Sequence, residues 1–140
     1  MRSLQVVEHA SSDDLAKISA GVIEFGRTQA VGGNPQPIAC LVHEDIVLVA
    51  GGSGRTEFLR LFVHYLWVAE HLRGQGLGAK VLSSLEESAF ERGCSDALIE
   101  SLSDQTARLY TRLGYKSVAT IPRYVGQFAK HILVKQLSGG

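Results

Sequence analysis

Apolar residues along the chain change their spacing several times, and each change predicts an element. Leu4 and Val6, followed by Glu8, alternate as a short opening strand. Ser11-Ser12-Asp13-Asp14 then supplies N-cap candidates for a helix carrying Leu15, Ile18, Val22 and Phe25 on one stripe, which the spacing predicts to be buried. The helical pattern stops between positions 26 and 31. Gly32-Gly33-Asn34-Pro35-Gln36-Pro37 reads as a loop by its turn chemistry, placed to border a substrate cleft. Two apolar runs, 38–42 and 46–50, joined by His43-Glu44-Asp45, read as a hairpin. Gly51-Gly52-Ser53-Gly54 interrupts the second run and predicts a bulge or a close backbone approach before the next strand begins near Phe58.

The chain is organised around the stretch 61–90, where an apolar strand runs through Arg73-Gly74-Gln75-Gly76-Leu77-Gly78 into an amphipathic helix. Alternating glycines at a strand-to-helix junction let the backbone approach a ligand, and the helix start offers unpaired N–H groups and a positive dipole end. A phosphate suits such a place. The spacing narrows which one. A dinucleotide turn needs G-x-G-x-x-G, and these glycines run G-x-G-x-G; a Walker A loop ends in Gly-Lys-Ser/Thr, and this one ends Gly78-Ala79-Lys80-Val81, with no hydroxyl for magnesium. After the loop, Leu77, Val81, Leu82, Leu85 and Ala89 recur at helical spacing, with Ser83, Ser84, Glu86, Glu87 and Glu91 assigned to the other face.

Arg92-Gly93 stops that helix, and a strand at 97–102 completes a β-α-β crossover with parallel strands. Ser103 or Asp104 caps a further helix over 105–113, Gly114 ends it, and a strand at 115–121 is closed by Pro122. A last strand lies near 130–137, and Ser138-Gly139-Gly140 reads as a frayed end. The order gives a mixed α/β fold, antiparallel at first and with a parallel crossover in the middle, and 140 residues make one domain, 1–140.

Charge excludes more than it suggests. Fourteen basic and fourteen acidic side chains balance, with pI near 7.0, so neither nucleic acid nor an anionic membrane is expected as the main partner. The ligand should be small, or a local site on a protein. Cys40 and Cys94 show no C-x-x-C spacing, which argues for buried free thiols and against a zinc site or a disulfide framework. No apolar run approaches a membrane span and the N-terminus carries no long apolar region, so a cytoplasmic protein is expected.

Arg-x-x-Gly-x-Gly after a strand reading Leu66-Trp67-Val68-Ala69-Glu70-His71-Leu72 resembles the pyrophosphate loop of the Gcn5-related N-acetyltransferase (GNAT) superfamily. The segment from Ser103 to Tyr115 resembles that superfamily's Asn-x-x-Ala-x-x-Leu-Tyr-x-x-x-Gly-Phe/Tyr pattern, with Ser103 where the family often has Asn. The resemblance is strong over 61–115 and looser over 123–137; the first fifty residues match by element order alone. It implies a mixed sheet with splayed central parallel strands, flanked by helices, and a cofactor arm inserted in the opening. It also implies acetyl-CoA as cosubstrate, held by Leu66, Trp67 and Val68, by Arg73, Gly74, Gln75, Gly76, Leu77, Gly78 and Ala79, and by Ser103. The backbone at Leu66 and Val68 would pair with the pantetheine amides and face the thioester as an oxyanion donor.

Two side chains are implied as catalytic. Tyr110 sits where a phenol supplies a proton to the departing CoA thiolate, whose thiol should resemble the ~8.5 of cysteine. Transfer to an amine needs the free base, and His64 shares the face of Leu66 and Val68 in a regular strand, with a bulge changing that; an imidazole near pKa ~6.5 suits the task. Glu57, Tyr65 and an ordered-water relay are its rivals. The expected activity is direct transfer of an acetyl group to a primary amine of a small molecule or protein in a ternary complex, without a metal. The alternative is a non-catalytic acyl-CoA-binding module, and a third reading is a structural protein that merely uses the fold. Oligomeric state, a homodimer included, stays open.

Overall fold

The computed structural model describes residues 1–138, apart from the side chains of residues 27–29. The elements run α1 (Ser12–Gln29), β1 (Gln36–Glu44), β2 (Val47–Glu57), β3 (Arg60–Val68), α2 (Leu77–Glu91), β4 (Asp96–Ser101), α3 (Asp104–Arg112), β5 (Lys116–Val125) and β6 (Phe128–Gln136). All six strands form one sheet in the order β1-β2-β3-β4-β6-β5. The β3–β4 pair is parallel, joined by α2, and every other neighbouring pair is antiparallel. The mixed α/β fold expected from the sequence is therefore the one found.

The core lies between the sheet and the two later helices. Val81, Leu82, Leu85 and Ala89 of α2 pack with Ile38, Ala50, Leu61 and Val63, while Ala107 and Tyr110 of α3 pack with Ile99 and Leu133. Helix approach explains one glycine: a Cβ on Gly52 would stand 2.9 Å from Leu85 Cδ1 and 3.1 Å from Val81 Cγ1. Glu86, expected on the outer face of α2, is instead buried. Its carboxylate accepts from the Tyr115 hydroxyl at 2.7 Å and from Lys135 Nζ at 2.8 Å, and these partners offset the cost of burying it.

The hairpin expected at the start of the sheet is β1–β2, but β2 continues through Gly51-Gly52-Ser53-Gly54 to Glu57. The turn into β3 is made by Phe58 and Leu59, both with positive φ, at 56° and 59°. L-residues pay roughly 1–2 kcal/mol each for that conformation. It is held by hydrogen bonds from Phe58 N to Gly32 O at 2.6 Å and from Ser95 N to Leu59 O at 2.8 Å. Pro122 does not end β5, which runs on to Val125. β5 is the outermost strand and its register shifts between Ile121 and Val125, both circumstances in which a missing N–H is tolerated.

Two expectations at the N-terminus are overturned. Leu4 and Val6 form no strand and stay exposed, since so short an alternation makes too few ladder bonds to offset its ordering entropy. α1 forms where predicted, with Ser11 Oγ accepting from Asp14 N at 3.1 Å, but its apolar stripe is not buried. Among the described residues no strand or helix packs along α1; near its end, a Cβ on Gly26 would stand 4.0 Å from the Phe58 ring. Gly139 and Gly140 of the expected frayed end lie outside the described residues.

Candidate active site

A fork in the sheet makes the site. β3 pairs with β4 only over Arg60 to Val63, against Asp96 to Ile99, and then continues along β2 alone while β4 follows β6. The closed end is pinned by the Arg60 guanidinium, which donates to both oxygens of Asp96 at 2.7 and 2.9 Å; that hydrogen bond raises the Arg60 pKa further. The open end begins at a bulge. Ser53 pairs with Tyr65 but Gly54 with Val63, leaving His64 as the extra residue, and a Cβ on Gly54 would collide with the Phe62 carbonyl oxygen. Leu66, Trp67 and Val68 thus have β2 on one side and no strand on the other.

The fork opens into a cleft of about 550 Å³, bordered by His64, Tyr65 and Leu66 of β3 and by Ser103, Tyr110 and Phe128 across from them. β3 ends in a single 3-10 turn, Glu70–Leu72, and leads to the glycine loop. Gly74 and Gly76 have φ of 81° and 79°, and a Cβ at either would meet nothing within 4 Å. Backbone conformation, and not crowding by protein, is what these two glycines serve. Gly76 is the N-cap of α2 and no side chain caps it. The first helical bond is Lys80 N to Gly76 O at 3.1 Å, so the N–H groups of Leu77, Gly78 and Ala79 have no intrahelical acceptor. Gly78 differs: its φ is ordinary and its Cβ would make a normal contact of 3.5 Å with Val68 Cγ2.

Arg73 is tied to the end of β3: its Nε donates to the Val68 carbonyl at 3.0 Å. Ala79 borders a second depression of about 570 Å³ with Lys80, Leu113 and Lys135. Trp67, Val68, Arg73, Gly74, Gln75, Gly76, Leu77 and Gly78 border neither depression. Ser103 is the N-cap of α3, where its Oγ accepts from Thr106 N at 3.2 Å.

Tyr110 is buried on α3, with its ring tilted against Tyr115 at 6.1 Å between centroids. Burial pushes its pKa above the ordinary 10.0, so the phenol keeps its proton at neutral pH. Tyr115 is raised too, by burial first and then by its bond to Glu86. His64 meets a residue that neither spacing nor motif singles out. Arg55 Nη1 lies 2.6 Å from His64 Nε2, while Arg55 Nε donates to Glu57 at 3.0 Å and its guanidinium stacks on Phe62. Arginine is always a donor, so Nε2 is the acceptor and the ring hydrogen is on Nδ1. The bulge that sets His64 apart also brings Arg55 to it, a pairing that strand alternation alone does not reveal. Of the residues expected in the site, His64, Leu66, Ser103 and Tyr110 come together around one cleft.

Comparison with known proteins agrees with this geometry. The model of the acetyltransferase (GNAT) family matches residues 7–115. The blasticidin-S acetyltransferase of Streptomyces morookaense is 36% identical over 91 residues, which cover 64% of this chain and 67% of that protein. An acetyltransferase of Agrobacterium fabrum is 34% identical over 79 residues, covering 56% of this chain and 58% of its own. The crystal structure of an acetyltransferase from Bacillus cereus superposes with a TM-score of 0.87 at 25% identity, covering 95% of this chain and 98% of that one. With the family pattern spanning most of its length and the forked sheet that goes with it, the chain belongs to the GNAT family and is an acetyltransferase.

Proposed function

We propose that the protein transfers the acetyl group of acetyl-CoA directly to a primary amine, most simply that of a small molecule, with residues 1–140 acting as one catalytic domain. The observation that carries this is the fork: an unpaired strand edge at Leu66–Val68 lies beside the free amides that open α2, with a protonated phenol in the same cleft. The residues fit the cosubstrate. An extended pantetheine presents amides that pair with a strand edge, and its pyrophosphate suits the N–H groups of Leu77, Gly78 and Ala79. The bound thioester supplies the activated acyl group. Backbone amides at Leu66 and Val68 face the position where negative charge develops on the carbonyl oxygen. Arg73 positions this edge through the Val68 carbonyl, and Ser103 fixes the start of α3 so that Tyr110 points into the cleft.

Tyr110 donates toward the leaving sulfur. A phenol above 10 transferring its proton completely to a thiolate near ~8.5 works uphill by roughly 2 kcal/mol, so its contribution is hydrogen-bond donation as charge builds on sulfur. His64 accepts the amine's proton at Nε2 once Arg55 gives way; while Arg55 holds that lone pair, the ring has no vacant acceptor. The name of the relative from Streptomyces supports a small-molecule acceptor and makes blasticidin S the first compound to try.

Calorimetric titration with CoA, followed by a thiol-release assay over an amine panel that includes blasticidin S, tests the proposal. Saturable CoA binding and amine-dependent thiol release are expected; CoA binding without release on any amine would leave the amine transfer unsupported. In the same assay, His64→Gln should alter the acid limb of the pH profile. An unaltered limb assigns the proton to solvent instead.

A further inference from the structure

Both later helices cover one face of the sheet, and no described helix packs along the opposite face. In the register of β1, β2 and β3, Leu41, Gly51 and Trp67 stand in one row, and Ala39, Ser53 and Tyr65 in the next. Alternation puts all six on the face away from α2, since α2 packs on Gly52. Leu41 is 61% exposed, Tyr65 76% and Trp67 46%. Small residues along β2, flanked by Leu41 on one side and two aromatic rings on the other, make a furrow.

The same chain holds an element of the matching shape. α1 is 18 residues long, about 27 Å, and Leu15, Ile18 and Val22 line one side of it while Asp13, Lys17 and Glu24 lie on the other. Ile18 is 65% exposed and Val22 69%. In proteins most of a helix's stability comes from packing an apolar face. Yet among the described residues α1 does not pack along its own sheet, and the loop after it is fastened to the Phe58-Leu59 turn by the Phe58 N to Gly32 O bond and by Gly32 against the Leu59 side chain.

We propose that two copies of this chain exchange α1 helices, each lying in the furrow along β2 of the other. A second copy satisfies both uncovered surfaces at once and leaves neither over. An unrelated partner would have to cover the helix and the sheet face separately. The area suffices. At roughly 60–120 Å² for a buried aliphatic side chain and 150–250 Å² for an aromatic one, each helix–sheet contact removes several hundred Å² from water, and reciprocity doubles it to the order of the ~1,200–2,000 Å² of a stable interface. The exchange also concerns the cleft, because Tyr65 belongs both to the rim of the furrow and to the cleft border. The partner's helix then stands at the mouth of the cleft and limits the acceptors that enter.

Sedimentation equilibrium and light scattering of the purified chain test this without reference to substrate. A species of twice 15.1 kDa is expected at micromolar concentration. Val22→Lys on the helix and Leu41→Lys on the sheet should each raise the dimer Kd by at least ~10²-fold, the consequence of an unpaired charge in an apolar contact, with circular dichroism unchanged. Glu24→Lys, on the polar side of α1, should leave the dimer intact. A monomeric wild type, or a dimer that survives both lysines, overturns the proposal. Exchange is separated from closure within one chain by mixing Val22→Cys and Leu41→Cys proteins: a cross-linked pair of chains is expected. A link formed only within single chains of the double variant overturns it.

Discussion

Tyr110 and Tyr115 are neighbours in the core, yet burial puts them to different uses. Tyr115 hands its hydroxyl to Glu86 and is structural; Tyr110 keeps its hydroxyl on the cleft. Tyr110→Phe preserves the ring and its packing while deleting the donor. Its kcat should fall by roughly 10²-fold or more with CoA affinity nearly unchanged. The sign of the pKa shift adds a second expectation. A donor whose pKa is raised loses its proton only above the ordinary 10.0, so wild-type kcat should show no alkaline fall from this group below pH 10. Near-wild-type turnover by Tyr110→Phe would return the residue to a packing role. Tyr110 was readable from the sequence because helical spacing and motif agree on it. Glu86 and Arg55 were not, since a buried carboxylate is indistinguishable by spacing from an exposed one, and Arg55 reaches His64 only through a bulge.

Among the elements, α2 offers a controlled comparison between its two ends. Gly76 before it and Gly93 after it both have positive φ, at 79° and 94°, and a Cβ on either meets nothing within 4 Å. Alanine should therefore cost each about 1–2 kcal/mol of backbone strain, a loss of a few degrees in Tm. Only Gly76 adjoins the free amides. Gly76→Ala should weaken CoA binding at least ~10-fold in calorimetry while Gly93→Ala binds normally; equal affinities would remove the phosphate role from the loop. Elements with a long apolar period or a sharp glycine stop were recoverable from sequence, as α2, β4 and α3 were to within a residue or two. The failures share a cause. Leu4–Val6 had too little length to form a strand, Pro122 sits in an edge strand where it is tolerated, and the stripe on α1 was real but stays exposed.

For the molecule as a whole, the fold class followed from the order of elements, whereas the uncovered face did not. Periodicity says that a helix has an apolar side; it does not say which chain supplies the other half of the contact. The fork has a further consequence, in the time domain. Beyond Val63, β3 is bonded on one side only, so its outward amides can trade hydrogen for deuterium through small local openings, while those of Leu61 and Val63 wait for the sheet itself to open. A ligand that occupies the fork removes the fast route. At a CoA concentration of ~100 Kd, coupling is worth about 2.7 kcal/mol, so the outward amides among Leu66, Trp67 and Val68 should slow by up to ~10²-fold. Amides in the closed arm that exchange by other local openings should hardly change. The splayed strands thus act as a built-in clock for occupancy, read without any knowledge of the acceptor, and an unchanged clock at saturating CoA would mean that the arm lies elsewhere.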